Sequence, residues 1–163
     1  MREAGFVHQA VNLSPKMMAN WVLASSSITR PRNGNGRRLR GIGAEFASVL
    51  WLKGLFRRFT NRRQIAAYAG LAPSPWQSGS LDREQGIAKS GNPRLRHTMV
   101  ELAWFWLRHQ PASELSQWFQ ARVGQARGRV RRIAIVALAR KLLITLWRYV
   151  CHGVVPEGAV LKA

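Results

Sequence analysis

The sequence predicts an all-α protein, a compact helical domain that carries one long loop and follows a poorly ordered N-terminal segment. Apolar residues recur every three or four positions over most of the chain after residue 36, which is the spacing of helices with one buried face. No alternating apolar and polar run is long enough to indicate a strand. With 163 residues and 47% hydrophobic composition, the chain can form one domain with a core.

Residues 1–36 differ in composition from the rest of the chain. They contain three consecutive serines and a run of Pro, Asn and Gly from Pro31 to Gly36, a composition typical of turns and linkers. We therefore expect a divergent, flexible segment over residues 1–36 and a folded helical domain over residues 37–163.

The first predicted helices are short. One follows Gly43 and runs to about Lys53, and the next is capped by Asn61, runs through Tyr68 and ends at Gly70. The stretch from Leu71 to Gly91 then collects prolines, glycines and serines, so we predict one long loop there. Long loops inside compact domains are usually functional or disordered.

The clearest helix signal is Asn92-Pro93, since Asn is a preferred N-cap and Pro is favoured at the first helical position. The stripe after it consists of Leu95, Met99, Leu102 and Trp106. A further helix is expected from Ala112 to Arg122. The last, from Arg129 to Val150, is apolar on most faces and is predicted to be the central core helix.

Charge is the strongest compositional signal. Twenty-six Lys and Arg against seven acids give a formal charge of +19, which a fold does not need and which a polyanionic partner would offset. Arg outnumbers Lys, and its planar fork suits phosphate oxygens and base edges. This favours nucleic acid over an anionic membrane surface, the main competing partner.

Other functional classes receive little support. The single Cys151 excludes an internal disulfide and a Cys-based zinc cluster, and it fits a reducing cytoplasm. No uncharged run approaches the roughly 18 residues of a membrane span, so no membrane association is expected. The tryptophans around residues 104–106 and 118 are interpreted mainly as packing residues, with base stacking as the alternative.

A first candidate contact with DNA is the turn Arg40-Gly41-Ile42-Gly43. Two glycines allow a tight turn and a close approach of the backbone to phosphate. An Ala and a Leu follow the second glycine by four and seven residues, a spacing that resembles the helix-hairpin-helix family of sequence-independent DNA binders. We therefore expect a hairpin between two helices, with an ordinary glycine-rich turn as the alternative.

Four blocks in the rest of the chain resemble one family. "AYAGLAPSPWQSG", "GIAKSGNPRLR", "VELAWFWLRHQP" and "RIAIVALARKLLITLWRY" are similar, in this order, to the C-terminal domain of the transposases of the insertion-sequence 110/116/902 group. The resemblance extends from about Arg37 to the C-terminus. It implies DNA strand exchange guided by a structured RNA, in a protein that is a homo-oligomer when complete.

The resemblance places the family's serine nucleophile on Ser78, with Ser74, Ser80 and Ser90 as rivals. A serine attacking a phosphodiester would hold the broken end covalently, and cations would stabilise the transferring phosphoryl group. The residues expected to contact phosphate or nucleic acid are Arg40, Gly41, Gly43, Arg62, Arg63, Arg83, Lys89, Asn92, Arg94 and Arg96.

The family's magnesium-binding acidic domain has no counterpart in this chain. One aspartate and six glutamates are present and none of them cluster, so no metal or other cofactor is expected here, and magnesium is expected in the missing N-terminal domain. We therefore expect a truncated fragment, inactive in transposition by itself. The alternative is a nonenzymatic helix-hairpin-helix-type module that binds DNA or RNA.

Overall fold

The computed structural model describes residues 38–55, 57–78, 81–87 and 90–162, so the predicted flexible segment and Lys89 lie outside the described residues. The helices are α1 (Ala44–Leu50), continued by a π-helical turn (Trp51–Leu55), α2 (Arg62–Tyr68), α3 (Pro93–His109), α4 (Glu114–Val123) and α5 (Arg129–His152). The strands are β1 (Arg38–Leu39), β2 (Pro73–Ser78), β3 (Leu81–Ile87) and β4 (Leu161–Lys162). Helices account for most of the described residues, which confirms the all-α prediction.

The core forms around α5, as the sequence predicts. Its buried face packs against α3, α4 and α2. The predicted stripe of α3 is completely buried, and Leu138, Leu142 and Leu143 of α5 are equally inaccessible. Each such side chain contributes about 1.5–3 kcal/mol relative to an exposed position. The apolar periodicity therefore identifies both the core helix and its main partner.

Asn92 joins three elements in addition to capping α3. Its Oδ1 accepts from the backbone N–H of Leu95 at 3.1 Å, which confirms the predicted cap. Its Nδ2 donates to the carbonyl of Lys53 at 3.5 Å and to the hydroxyl of Tyr68 at 3.4 Å. Its own backbone N–H donates to the Tyr68 carbonyl at 2.8 Å. The start of α3 is thereby fixed to α2 and to the π-helical turn.

The stretch from Leu71 to Gly91 contains an antiparallel hairpin, so the expectation of an unstructured loop without strands is wrong in detail. β2 pairs with β3 from Pro73↔Ile87 to Ser78↔Leu81, with a bulge between Pro73 and Ser74 that leaves Gly86 unpaired. Both strands of a two-stranded sheet are edge strands, where proline is tolerated, so β2 can pair with β3 despite Pro73, Pro75 and its lack of β-branched residues.

The N-terminal turn also differs from the prediction. β1, not the end of a helix, directly precedes Gly41, and β1 pairs with β4 at Arg38↔Lys162 and Leu39↔Leu161. The fully buried Gln110 holds this contact: its Nε2 donates to the carbonyls of Arg40 and Val160, both at 2.8 Å, and its Oε1 accepts from the Val160 N–H at 2.7 Å. The hairpin between two helices is therefore not formed by the described residues.

Gly91→Ala should strongly destabilise the protein. Gly91 has φ +133°, and a Cβ there would lie 2.6 Å from the Gly70 nitrogen and 2.7 Å from the Tyr68 carbonyl oxygen. Backbone atoms cannot move aside as a flexible side chain can, so we expect a loss above about 3 kcal/mol in the free energy of unfolding. Urea denaturation measures it.

Gly124→Ala is the matched control for that substitution. Gly124 also has a positive φ, +50°, but among the described residues a Cβ there meets nothing within 4 Å. Its alanine variant should therefore lose only the cost of backbone strain, about 1–3 kcal/mol. Equal losses for the two variants would contradict the proposed packing of Gly91 against the end of α2.

Cys151 should resist alkylation to a higher pH when folded. Half-burial raises the pKa of its thiol above the ordinary value of 9.0, because desolvation disfavours the thiolate. A raised folded-state pKa contributes stability below about pH 9, and this contribution is lost as pH rises through the folded pKa. The midpoint of iodoacetamide labelling should therefore lie higher than in urea-unfolded protein. The chain has one cysteine, so the readout is unambiguous, and equal midpoints would refute the shift.

Candidate nucleic-acid interface

The β2–β3 hairpin leaves the domain at the corner between α2 and α3. At its start, Gly70 and Leu71 donate to the carbonyls of Ala67 and Ala66, both at 2.9 Å, and Leu71 is completely buried. At its end, the close packing of Gly91 and the hydrogen bond from Asn92 to Tyr68 return the chain to the same point. Both ends of the hairpin are therefore fixed to the core.

Ser78 is the last residue of β2 and pairs with Leu81 beside the turn. Five residues separate it from Pro73, which corresponds to about 17 Å of extended strand. From Ser74 to Gln85 the structure describes the backbone only, and Ser80 lies between the described ends of the two strands. The predicted nucleophile is thus at the end of the hairpin, well removed from its base.

The pairing of β2 with β3 shows how far the other candidate residues of the hairpin lie from Ser78. Arg83 is opposite Trp76, which places it diagonally across the ladder from Ser78, a separation of about 7–8 Å between such positions. Ser74 is opposite Gln85, close to the base, and Ser90 follows the hairpin. Among the predicted cations that the structure describes, Arg83 therefore has the register position nearest to Ser78.

The two glycines of the N-terminal turn have different roles. Gly41 has φ +92°, and a Cβ there would lie 2.8 Å from the Cβ of His109, so both backbone conformation and packing require glycine. Gly43 precedes α1, makes no side-chain cap, and a Cβ there would meet no described atom within 4 Å. Arg40 beside them is exposed. Of the two glycines, Gly43 is the one that leaves room, among the described residues, for another molecule to approach the backbone.

The remaining predicted cations that the structure describes lie at the starts of the two helices that flank the hairpin in the chain. Arg62 and Arg63 are exposed in the first turn of α2, behind an Asn61 cap whose Oδ1 accepts from the N–H groups of Arg63 and Gln64 at 3.0 Å. Arg94 is exposed and Arg96 half-buried in the first turn of α3. The start of α3 lies at the hairpin base, where Asn92 bonds to Tyr68, whereas Arg62 and Arg63 lie about 7–9 Å before Tyr68 along α2.

The exposed arginines at the starts of α2 and α3 lack acidic neighbours among the residues whose side chains are described. Among the described residues, neither Arg62, Arg63 nor Arg94 has a carboxylate within 4.0 Å, whereas His97 pairs with Glu101 at 3.4 Å. Unpaired guanidinium groups keep all their donors for an external anion. These guanidinium groups are therefore suited to contacts with phosphate rather than to structural ion pairs.

Sequence reasoning missed contacts between cations and aromatic rings. Arg57 lies over the ring of Tyr68 at 4.9 Å, Arg131 over Trp104 at 5.2 Å, and Lys141 over Trp118 at 4.7 Å. Of the tryptophans assigned to packing, Trp106 is buried and its Nε1 donates to Ser113 at 2.8 Å, but Trp104 is 39% exposed. No spacing rule indicates these contacts, because most of them join different helices.

The described residues offer neither a metal site nor a membrane span. They contain no group of three His, Cys, Asp or Glu side chains that could hold a metal ion, so they do not fit the magnesium site implied by the resemblance. None of the helices in the described ranges combines the length and the apolar character needed to cross a bilayer.

Comparison with known proteins identifies the family. The family model for Transposase IS116/IS110/IS902 matches residues 37–117. The Sinorhizobium fredii protein y4rJ is 64% identical over 125 residues, covering 76% of this chain and 32% of the relative. The transposase for insertion sequence element IS1111A of Coxiella burnetii is 36% identical over 104 residues, covering 63% of this chain and 27% of the relative.

A third relative gives the same extent of similarity. An uncharacterized 43.6 kDa protein of insertion element IS110 from Streptomyces coelicolor is 30% identical over 129 residues, covering 76% of this chain and 31% of the relative. The chain thus spans about a third of the length of the curated relatives it matches. The matched region contains the N-terminal turn, the β2–β3 hairpin and the start of α3, and the chain belongs to the IS116/IS110/IS902 transposase family.

Proposed function

We propose that this chain is the serine-bearing part of a transposase, and that Ser78 is the nucleophile in DNA strand exchange. The observation that carries the proposal is the position of Ser78 beside the turn of an arm whose base is fixed to the core, with the exposed Arg94 in the first turn of the helix that starts at that base. A nucleophile at the end of such an arm can reach a DNA backbone held by the base.

The chemistry requires no external energy source. The Oγ of Ser78 attacks a backbone phosphorus and loses its proton to solvent; an Oγ–P bond forms while the bond to one deoxyribose oxygen breaks, and that oxygen gains a proton. A hydroxyl from a second strand then attacks the same phosphorus and releases the serine. The number of phosphodiester bonds is unchanged, and the register position of Arg83, diagonal to Ser78 in the ladder, supports a role in stabilising the transferring phosphoryl group.

DNA and a structured guide RNA belong to the same proposal as partners, with a homo-oligomer as the assembly of the complete protein. Magnesium would be bound by an acidic domain outside the described residues, and no step above depends on it. The basis is membership of the family together with a formal charge of +19. The exposed Arg62, Arg63 and Arg94 are available to backbone phosphates of either partner.

A second candidate function is a nonenzymatic module that binds DNA or RNA. It is favoured by the formal charge of +19 and by the exposed Arg40 near Gly43, where a Cβ would meet no described atom within 4 Å. This candidate needs the cations but not the hydroxyl of Ser78. The two functions therefore differ in one measurable property, the formation of a covalent DNA–protein bond.

Ser78→Ala should abolish strand exchange while leaving DNA binding unchanged. The substitution is best made in full-length y4rJ whose matching 125 residues are replaced by those of this chain, because the two are 64% identical there. Removing a nucleophile should reduce exchange by at least about 10³-fold. Recombination between two marked plasmids measures exchange, and mass spectrometry of the trapped adduct locates the modified residue.

Ser74→Ala and Ser90→Ala are the controls for that experiment. Both serines lie in or next to the hairpin, so they report any general effect of losing a hydroxyl there. Both variants should retain exchange. Undiminished exchange by Ser78→Ala, or an adduct on another serine, would remove Ser78 from the proposed role.

Neutralising Arg62 and Arg63 together should weaken DNA binding in a salt-dependent way. For duplex DNA, log K falls with log salt by about 0.9 for each phosphate neutralised. Loss of two contacts should therefore reduce the slope by about 1.8 in the double variant with both arginines changed to Gln. Fluorescence anisotropy with a 20-base-pair duplex at several salt concentrations measures it, and an unchanged slope would exclude these residues from the interface.

A further inference from the structure

A second cationic surface lies away from the hairpin, on α3, α4 and α5. We define the indole–cation surface as Trp104 of α3, Trp118 and Arg122 of α4, and Arg131 and Lys141 of α5. Trp104 is eleven residues beyond Pro93, about 16 Å along α3 from the hairpin base. Arg131 and Lys141 are ten residues, about 15 Å, apart along α5.

Each tryptophan of this surface carries at least one cation. Arg131 lies 5.2 Å from the ring centre of Trp104, while Arg122 and Lys141 lie 5.8 and 4.7 Å from that of Trp118. The edge of Trp104 packs against the ring of Phe119 at 6.4 Å, and Phe119 is buried. The rings are thus fixed to the core and the cations are fixed to the rings.

The three cations have no acidic partner. Among the described residues, no carboxylate lies within 4.0 Å of the charged group of Arg122, Arg131 or Lys141, and all three residues are exposed. From Leu115 to Pro156 the sequence contains no Asp or Glu. The same stretch contains eight cations: Arg122, Arg127, Arg129, Arg131, Arg132, Arg140, Lys141 and Arg148.

This arrangement is unfavourable for the isolated domain. Arg129, Arg131 and Arg132 lie in the first turn of α5, where the helix dipole disfavours positive charge by about 0.3–1 kcal/mol per residue, and that turn contains no acid. The contact of Arg131 with Trp104 compensates only in part, so local rules of helix stability are broken here, which is expected where a sequence serves binding. A polyanion would relieve both the mutual repulsion and the dipole penalty.

We infer that the indole–cation surface binds the phosphodiester backbone of a nucleic acid, as a contact separate from the hairpin base. Holding a long cationic side chain over a ring restricts its rotamers before binding, so less entropy is lost when it meets a phosphate. A cation–π contact uses no carboxylate, and the N–H donors stay available. The inference rests on the proposed function for nucleic acid as partner, but not on Ser78.

An anionic membrane is the competing partner for such a surface. Val130 and Ile133 of α5 are 49% and 56% exposed next to the arginines, so apolar contacts with lipid are available. Arginine nevertheless outnumbers lysine by seven to one among the eight cations of this stretch, and its planar fork matches phosphate oxygens in pairs. The observations therefore favour nucleic acid, and lipid vesicles serve as one arm of the test.

Lysine footprinting tests the surface in the unmodified protein. The chain is treated with an acetylating reagent, alone and with a saturating 20-base-pair DNA duplex, a single strand of the same sequence, an RNA duplex, or phosphatidylglycerol vesicles. Lys141 should be acetylated at least about fivefold more slowly with the nucleic acids. The exposed Lys162 of β4 is the internal control and should react at an unchanged rate.

Comparison of the DNA duplex, the single strand and the RNA duplex shows which nucleic acid the surface prefers, since the preferred one should protect Lys141 most strongly. Equal acetylation of Lys141 with and without all three nucleic acids, or protection by vesicles alone, would overturn the inference. If the chain binds no nucleic acid at all in the anisotropy assay, the proposed function fails with it. If it binds but Lys141 remains unprotected, only the indole–cation surface is refuted.

A substitution supplies the second measurement. The triple variant Arg122→Gln, Arg131→Gln, Lys141→Gln should reduce the salt slope for the duplex by about 2.7, since three phosphate contacts are lost. The control changes Lys53, Arg58 and Lys162 to Gln, which removes the same charge elsewhere. An equal decrease in both variants would show a general charge effect and contradict a defined surface.

Discussion

The hydrogen bonds of Asn92 are the constraint on which the arrangement of the candidate site depends. One side chain caps α3 and reaches the carbonyl of Lys53 and the hydroxyl of Tyr68, while its backbone N–H reaches the Tyr68 carbonyl. The β2–β3 hairpin begins and ends beside this junction. Its position relative to the end of α2 and the start of α3 is therefore decided by a few part-buried polar contacts.

A second constraint keeps the N-terminal turn in place. Gln110 is completely buried, and its amide satisfies two carbonyls and one N–H of the paired segments β1 and β4. Gly41 packs against His109 directly before it. Both junctions use an amide side chain, since Asn and Gln carry donors and acceptors together and can join two backbone segments at once.

The two cationic regions of the chain differ from its core in charge and exposure. The core is apolar and α5 provides its centre, whereas the exposed arginines at the hairpin base and on the indole–cation surface have no acidic partners among the described residues. Like charges at this density lower the stability of the free protein. A polyanion would offset this cost, which is the physical basis of the proposed contacts with nucleic acid.

The sequence by itself determined the helical class, the cap at Asn92, the stripe of α3 and the role of α5 as core helix. These features depend on local signals, namely residue spacing and capping chemistry, which are visible within a few positions of one another. The family was also within reach of the sequence, because four ordered blocks carry it. Arg62, Arg63 and Arg94 could also be named from the sequence as candidate cations, because each follows a predicted N-cap, and the structure leaves all three exposed.

Only the tertiary structure decided where these parts meet. The hairpin had one local signal, Gly79-Ser80 between its two strands, but Pro73, Pro75 and the lack of β-branched residues in β2 concealed it. The pairing of β1 with β4 joins residues more than 120 positions apart, and the cations over Trp104 and Trp118 come mainly from a different helix. Such contacts depend on how the helices pack, and packing is a property of the whole chain rather than of any local pattern.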